Sequence, residues 1–390
     1  MKTRLKLLPL GSVLASAMCA AAYDPSDSIS TYAQLGYMYD SNVFRLSDSQ
    51  DPEQALGKDH RGDSIITPQV GGHIAADVSR QQFTLDANVY APRYMSFSDL
   101  NYVGWNNSVG WNGEIGHSWF GSASFGDQKV VSDFGDVLLN QEDLMRTLTG
   151  SAEGGYRINS SVSLIVDASR ARVRHSQETT LDLYNTQYAG KVQYTTDRGG
   201  VFSLGERYQT VDYENQTFNG FTVNQDYTQR ITQLTAYYPF DPRFDIAGGY
   251  GYVKIHTDTT DQSDWQANAT LNWHTTDRTK LSFGYSHALN APGSTYGESI
   301  KSHYQLGGEW KVTDKIVTNA SLAYDKYDYP ASLNVAAYND NVKTAYIGAS
   351  WKPRPSIDTT FYASWANRDS NVEIRTYDDW QLGATVQILF

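Results

Sequence analysis

Two Ser–His neighbours, Ser286-His287 and Ser302-His303, are the nearest this 390-residue sequence comes to a nucleophile beside a general base. Acyl transfer needs the hydroxyl, the imidazole and an orienting group within hydrogen-bond reach of one another. Both pairs fall in segments of alternating polarity, where consecutive side chains point to opposite faces, so neither Ser can meet the His beside it. There is no Gly-x-Ser-x-Gly, no His-Glu-x-x-His and no His pair at metal-ligand spacing. A hydrolase assembled from residues joined only in space stays open, without a motif to support it; the expectation is a non-enzyme with no cofactor and no metal. The densest polar run, Asp40-Ser41-Asn42 followed by Ser47-Asp48-Ser49-Gln50-Asp51-Pro52-Glu53, offers the oxygen ligands that Ca²⁺ takes. It lacks the glycine and spacing of an EF-hand loop and reads instead as a solvated loop.

The compartment follows from the first residues. Lys2, Arg4 and Lys6 precede the mostly apolar stretch 7–22, which closes on Ala20-Ala21-Ala22. That is the pattern of a secretory signal peptide over residues 1–22, with the mature domain at 23–390. Cys19 raises the rival of a lipoprotein, but Met18 before it fits that processing poorly. Removing the leader takes the only cysteine, and with it any disulfide or thiol chemistry. It also removes three basic residues and no acid, so the mature chain is more acidic than the formal −12 of the whole, which argues against nucleic acid as a partner. Mean hydropathy is −0.50, and no later stretch has the 18 or so apolar residues of a spanning helix.

Period-two alternation runs almost throughout. In residues 264–274 every odd position is apolar and every even one polar; residues 66–78 and 380–390 repeat the pattern. Eighteen such runs occur, the ninth (201–210) being weakest because either register places Glu206 or Arg207 on the apolar side. Alternating segments of about ten residues are the signature of a transmembrane barrel, which averages to polar in a hydropathy window. Links alternate between tight turns, such as Ser79-Arg80, Gly113-Glu114 and Thr276-Asp277-Arg278, and long acidic segments, such as 40–63, 130–141 and 328–341. All nine tryptophans lie near run ends, as in the two aromatic girdles of a membrane protein. The expected fold is therefore all-β: a transmembrane antiparallel β-barrel of about 18 strands, with short periplasmic turns and long extracellular loops, in the bacterial outer membrane.

The opposite faces of these runs supply a lumen lining. Its candidates are His73, Asp77, Asp86, Asp167, Lys191, Gln266, Asn268 and His303, with Asp77 and Asp86 expected toward the periplasmic mouth. A barrel of this size leaves an aqueous channel unless something plugs it, and no plug domain is visible. Lumen lysines are balanced by acids, which suits neutral or weakly charged solutes, although any wet lumen must be polar.

The first run ends in Tyr39-Asp40-Ser41-Asn42-Val43-Phe44-Arg45. This segment resembles the outer-membrane barrels of exopolysaccharide operons, the EpsL-type family, as does the layout of the mature chain. The resemblance implies export of a polysaccharide chain, here neutral or weakly charged, with periplasmic polysaccharide-export proteins as partners. It brings no catalytic residues. The C-terminal pattern with Gly383 and the final Phe390 is similar to the signal read by the barrel assembly machinery, and outer-membrane lipids are the remaining expected partner. A porin for uptake of small polar solutes is the alternative function, and an adhesin or scaffold a weaker one.

Overall fold

The computed structural model describes residues 28–135, 140–215, 217–218, 221–222, 225–258, 261–290, 299–330 and 337–390; the expected leader lies outside them. Eighteen long strands form the wall. They are β1 (Ile29–Asp40), β2 (Asp63–Val78), β3 (Gln81–Tyr90), β4 (Gly104–Ile115), β5 (Trp119–Val131) and β6 (Leu144–Arg157). Next come β7 (Val162–His175), β8 (Leu183–Thr195), β9 (Val201–Tyr213), β10 (Tyr227–Asp241), β11 (Phe244–Thr257) and β12 (Asp261–Thr276). The last are β13 (Thr279–Asn290), β14 (Ser299–Thr313), β15 (Ile316–Tyr329), β16 (Tyr338–Arg354), β17 (Ile357–Ser370) and β18 (Tyr377–Leu389). Each pairs antiparallel with the next, and β1 pairs with β18, from Tyr32 opposite Leu389 to Asp40 opposite Gln381. The sheet is closed.

Its outer surface is apolar all the way round. Val70, Val109, Phe125, Val166, Leu234, Leu306 and Ile347 each expose more than half of their surface. A soluble monomer does not carry such a band, which would be one continuous patch far larger than those tolerated in water. The closed sheet with a lipid-facing band is a transmembrane barrel of the outer-membrane type. Facing residues alternate with these, so the lumen side is the polar one. The weak ninth run resolves with Glu206 outward, in an ion pair with Arg230 of the adjacent strand, and Arg207 inward.

The short links obey local chemistry. Thr276 Oγ1 accepts the Arg278 N–H at 3.2 Å and Thr313 Oγ1 the Lys315 N–H at 3.2 Å, turns in which a hydroxyl stands in for a backbone acceptor. Ladder registers slip beside four of these turns, between Pro239 and Asp241, His274 and Thr276, Lys311 and Thr313, and Trp351 and Arg354. Such bulges add the local twist a barrel rim needs. One turn differs from its expected place: β4 continues through Gly113-Glu114 to Ile115, and the chain reverses at Gly116, whose φ of 64° only glycine adopts without cost.

Inside the wall, aromatic rings lie over cross-strand glycines. Tyr32 covers Gly71, Tyr90 covers Gly104, Phe120 covers Gly155 and Tyr362 covers Gly383, each directly opposite in register. A side chain at Gly383 would overlap the Tyr362 ring, whereas a Cβ at Gly126 would meet only the Asn107 carbonyl oxygen, at an ordinary contact distance of 3.8 Å. Gly383→Val is therefore expected to destabilise the barrel by about 1–3 kcal/mol through overpacking, while Gly126→Ala is tolerated. Urea unfolding followed by tryptophan fluorescence measures both; equal midpoints would show that the Gly383 contact carries no packing load.

Candidate functional site

Lumen side chains come from the alternate residues of every strand, and the register decides which of them meet. His73 and Asp86 are opposite each other on β2 and β3, with Nδ1 to Oδ1 at 2.6 Å. Asp86 is thus engaged, while Asp77 is opposite Gln82 and opens into a periplasmic basin of about 460 Å³ with Arg80, Glu114 and Arg157. Asp86 lies four register positions further up the strand than Asp77, a climb of about 13 Å at the usual rise, opposite His73 in the periplasmic half of β2.

Several other charges of the lining are matched across strands. Lys191 lies 3.3 Å from Glu153, Lys301 3.3 Å from Asp325, Lys352 3.6 Å from Asp358 and Arg157 2.7 Å from Glu114. Gln266 receives Arg207 at 3.4 Å and donates to Gln233 at 3.1 Å. Asp167, on the inward face of β7, interacts with Arg207 through space, and Asn268 stands exposed on the inward face of β12, opposite Gly249. His303 holds Asp325 at 2.5 Å. The lining is polar and locally neutralised.

The histidines form no nucleophile–base–acid relay among the described residues. Across strands His287 accepts or donates to Ser302 at 2.8 Å, but on the outer face, with its ring stacked on Trp265 and no carboxylate. Ser286 is opposite His303 in register, yet His303 is bound to Asp325 with Lys301 beside it. Ser132, Asp143 and His175 meet in a buried cluster, but there a single imidazole nitrogen, Nδ1, faces both Asp143 (2.7 Å) and Ser132 (3.3 Å). A relay needs the two ring nitrogens to serve different partners.

The outer mouth is where the structure departs most from expectation. Loop 41–62 divides in two: residues 41–47 are packed against other loops, while most of residues 48–60 is exposed. Val43, Phe44 and Leu46 are buried with Phe97 and Leu100 of loop 91–103 and Phe134 of loop 132–143. The Phe44 ring centre lies 5.1 Å from that of Phe97 and 4.8 Å from that of Phe134. The polar residues of this loop turn inward on the chain itself. Asn42 brackets Leu46 with two hydrogen bonds of 2.9 Å, and Arg45 binds Asp40 at 2.9 Å and Asp379 at 3.2 Å. Burial opposes the Arg45 charge, but the two carboxylates outweigh it and hold the guanidinium further toward its charged form. Asp40 is thus committed to an arginine, and no cluster of acids capable of holding a metal occurs among the described residues. The expectation of a solvated loop holds for most of residues 48–53 and fails for 41–47, whose apolar residues find partners in two other loops.

Residues 132–135 lean in over the mouth. They follow β5, yet the Gly135 carbonyl accepts Arg368 of β17, with β18 and β1–β4 lying between on that side of the barrel. Arg368 and Arg375 share Asp340 at 3.1 and 2.7 Å, and Arg375 lies over the stacked rings of Tyr329 and Tyr338. Ser132, Asp143 and His175 fasten the other end. A second apolar cluster, with Val211, Ile231, Val253 and Ile255 on inward positions of β9–β11, narrows the opposite wall. Sequence reasoning missed Arg368, Asp340, Arg375 and Asp143. The available signal was Val43-Phe44, Phe97, Leu100 and Phe134, apolar residues that a solvated loop does not need.

Residues 243–390 match the family model described as "Putative beta-barrel porin 2". Among solved structures, the chain resembles the Pseudomonas aeruginosa protein OpdK determined with vanillate, at 10% identity and a TM-score of 0.52, covering 93% of this chain and 99% of that one. A second OpdK structure gives 10% identity and 0.51 over 93% and 99% of the two chains. OccAB3 of Acinetobacter baumannii gives 8% and 0.49 over 93% and 99%. These likenesses concern the fold. No curated protein matches the chain in sequence.

Burial pushes the Asp143 carboxyl up, but hydrogen bonds from His175, Ser132 and the Gln177 N–H overcome this and hold it well below the ordinary carboxylate value. A depressed carboxyl stabilises the anchored loop above its unfolded pKa, about 3.9, and the contribution fades as pH falls through the lower folded value. The Gln177 amide, bound to Asp143 at 2.8 Å, should stay protected from hydrogen exchange at neutral pH and lose protection only in acid below that range. Asp143→Asn should expose it at pH 7 by weakening the anchor about 1–3 kcal/mol. Unchanged protection in that variant would count against the anchor.

Proposed function

We propose that this porin-like barrel passes small polar solutes across the outer membrane and excludes polymers. The observation that carries the reading is the segment 132–135, held over the mouth to β17 by Arg368, above a lining in which several charges are paired. A narrowed mouth selects by size. A neutralised lining offers hydrogen bonds without a strong field for ions of either sign, whereas a lumen of one charge would concentrate counter-ions. The family-model match in the C-terminal part and the similarity to OpdK, a barrel solved with a small aromatic acid, favour this over polysaccharide export. The opening segment that suggested export, residues 39–45, closes the seam and packs the mouth instead of lining a passage.

Liposome swelling tests the reading. Glucose- and sucrose-sized neutral sugars should enter vesicles holding the purified barrel, and a neutral dextran should not. Arg368→Ala frees Gly135 but leaves Asp340 its bond to Arg375, so the wall is kept; single-channel conductance should rise severalfold. Dextran passing as readily as sucrose, with conductance indifferent to Arg368, would restore the export reading.

A further inference from the structure

The outer face of β4–β8 carries a cationic patch at the long-loop end of the wall. In register, Trp105, Lys129, Arg146 and Arg174 stand side by side on four successive strands. Their direction is set by strand mates Val109, Phe125, Tyr156 and Val166, all strongly exposed to the lipid side. Arg172 and Arg170 follow at two-residue steps down β7, on the same face. Among the described residues two carboxylates form salt bridges with these five cations, and Glu142 and Asp182 act on Lys129, Arg172 and Arg174 from further off, so one cation is left in excess. Asp127 takes the Arg146 fork at 2.9 and 2.8 Å, and Glu214 bridges Arg172 at 2.9 Å and Arg174 at 3.1 Å. Lys129 lies 5.2 Å from the centre of the Trp105 ring and Arg170 4.5 Å from that of Tyr184, without a carboxylate within salt-bridge distance among the described residues. An excess of positive charge on the outward face of a chain whose net charge is −12 is a local feature, not a reflection of composition.

We infer that this patch binds the phosphates of an anionic lipid in the outer leaflet. Three aspects point to that ligand. The patch lies at the extracellular aromatic girdle, the level of headgroups, where Trp105 and Tyr184 sit. Arginine forks match phosphate oxygens in pairs, and the two carboxylates hold three of the forks in place with N–H groups to spare. Below Arg170 the wall is unusually shallow: Gly150 is opposite Arg170, Ala152 opposite Ala168, and Gly154 opposite Val166. Nothing lies within 4 Å of where side chains at Gly150 and Gly154 would be, and Phe125 and Tyr188 rise on either side. An acyl chain descending from a phosphate held at the patch would fill that furrow. The inference depends on the orientation of the barrel and not on what passes through its lumen.

Diphosphoryl lipid A and its dephosphorylated form serve as probes, titrated into the detergent-purified full-length barrel and counted as bound adducts by native mass spectrometry. The phosphorylated probe should bind at least tenfold more tightly, and the preference should shrink as ionic strength rises. Arg170→Gln combined with Arg174→Gln should remove most of the preference, while Lys343→Gln, exposed on the outer face of β16, should leave it intact. Heat-modifiable migration reports whether each variant is folded; should the double variant fail to fold, the salt dependence in the native barrel decides. Equal binding of the two probes, or no loss of preference in the folded double variant, overturns the site. Displacement by inorganic phosphate at concentrations comparable to the lipid would mean that the patch reads free phosphate, which overturns its assignment to a lipid.

Discussion

Within a bilayer no water is available to satisfy a backbone N–H or C=O, and the rest of this structure follows from that requirement. A sheet can meet it only by closing on itself, because any free edge would leave a row of unpaired groups in hydrocarbon. Closure here is made between the first and last strands of the chain, residues that are more than 300 positions apart at Asp40 and Gln381. The ladder is extended at both ends of the seam, by Ser41 N–H to the Trp380 carbonyl at 3.0 Å and by Phe390 N–H to the Thr31 carbonyl at 2.8 Å. Once closed, each strand has one face in lipid and one in water, and the period of two, the outward tryptophans and the inward amides are its consequences.

The segment after β1 completes that closure. Arg45 adopts a φ of 56°, a left-handed conformation that costs a non-glycine residue about 1–2 kcal/mol. The turn points its guanidinium back at Asp40 on β1 and Asp379 on β18, so one side chain ties both partners of the seam. Ser41 Oγ donates to Asp379 at 2.9 Å, and Gln381 donates to Asp40 at 2.9 Å. The same turn throws Phe44 toward Phe97 and Phe134, so the seam and the narrowing of the mouth are two results of one local conformation.

What was legible in the sequence is what depends on near neighbours. All eighteen strands could be placed because alternation, turn residues and link length are local, and the parity of the links gave the orientation. Pairings are a step further away. His73 and Asp86 were both recognisable as inward, but their contact depends on the β2–β3 register, which no local pattern gives. The mouth was illegible for a stronger reason. Phe44, Phe97 and Phe134 come from three loops and Arg368 from the far wall, and no period or spacing relates them. A loop's polarity was therefore half a guide: residues 48–53 are largely exposed, as their oxygens suggest, but 41–47 are packed because their few apolar residues find partners in other loops.

The charges follow the same division of environments. In the lumen, a lone lysine or arginine would impose a field on every solute, and the wall answers several of them with a carboxylate, on the adjoining strand for Lys301–Asp325 and two strands away for Lys191–Glu153. On the lipid-facing side an unanswered charge in hydrocarbon would be costlier still, and Glu206 and Arg230 neutralise each other there. At the extracellular rim of β5–β7 cations outnumber acids, where headgroups rather than acyl chains are the solvent. A membrane protein can leave charge unmatched where its surroundings supply the counter-charge. The clustering of arginines on these strands thus follows the layers of the membrane as the tryptophans do, and it gives an otherwise regular cylinder a distinct lipid-facing flank.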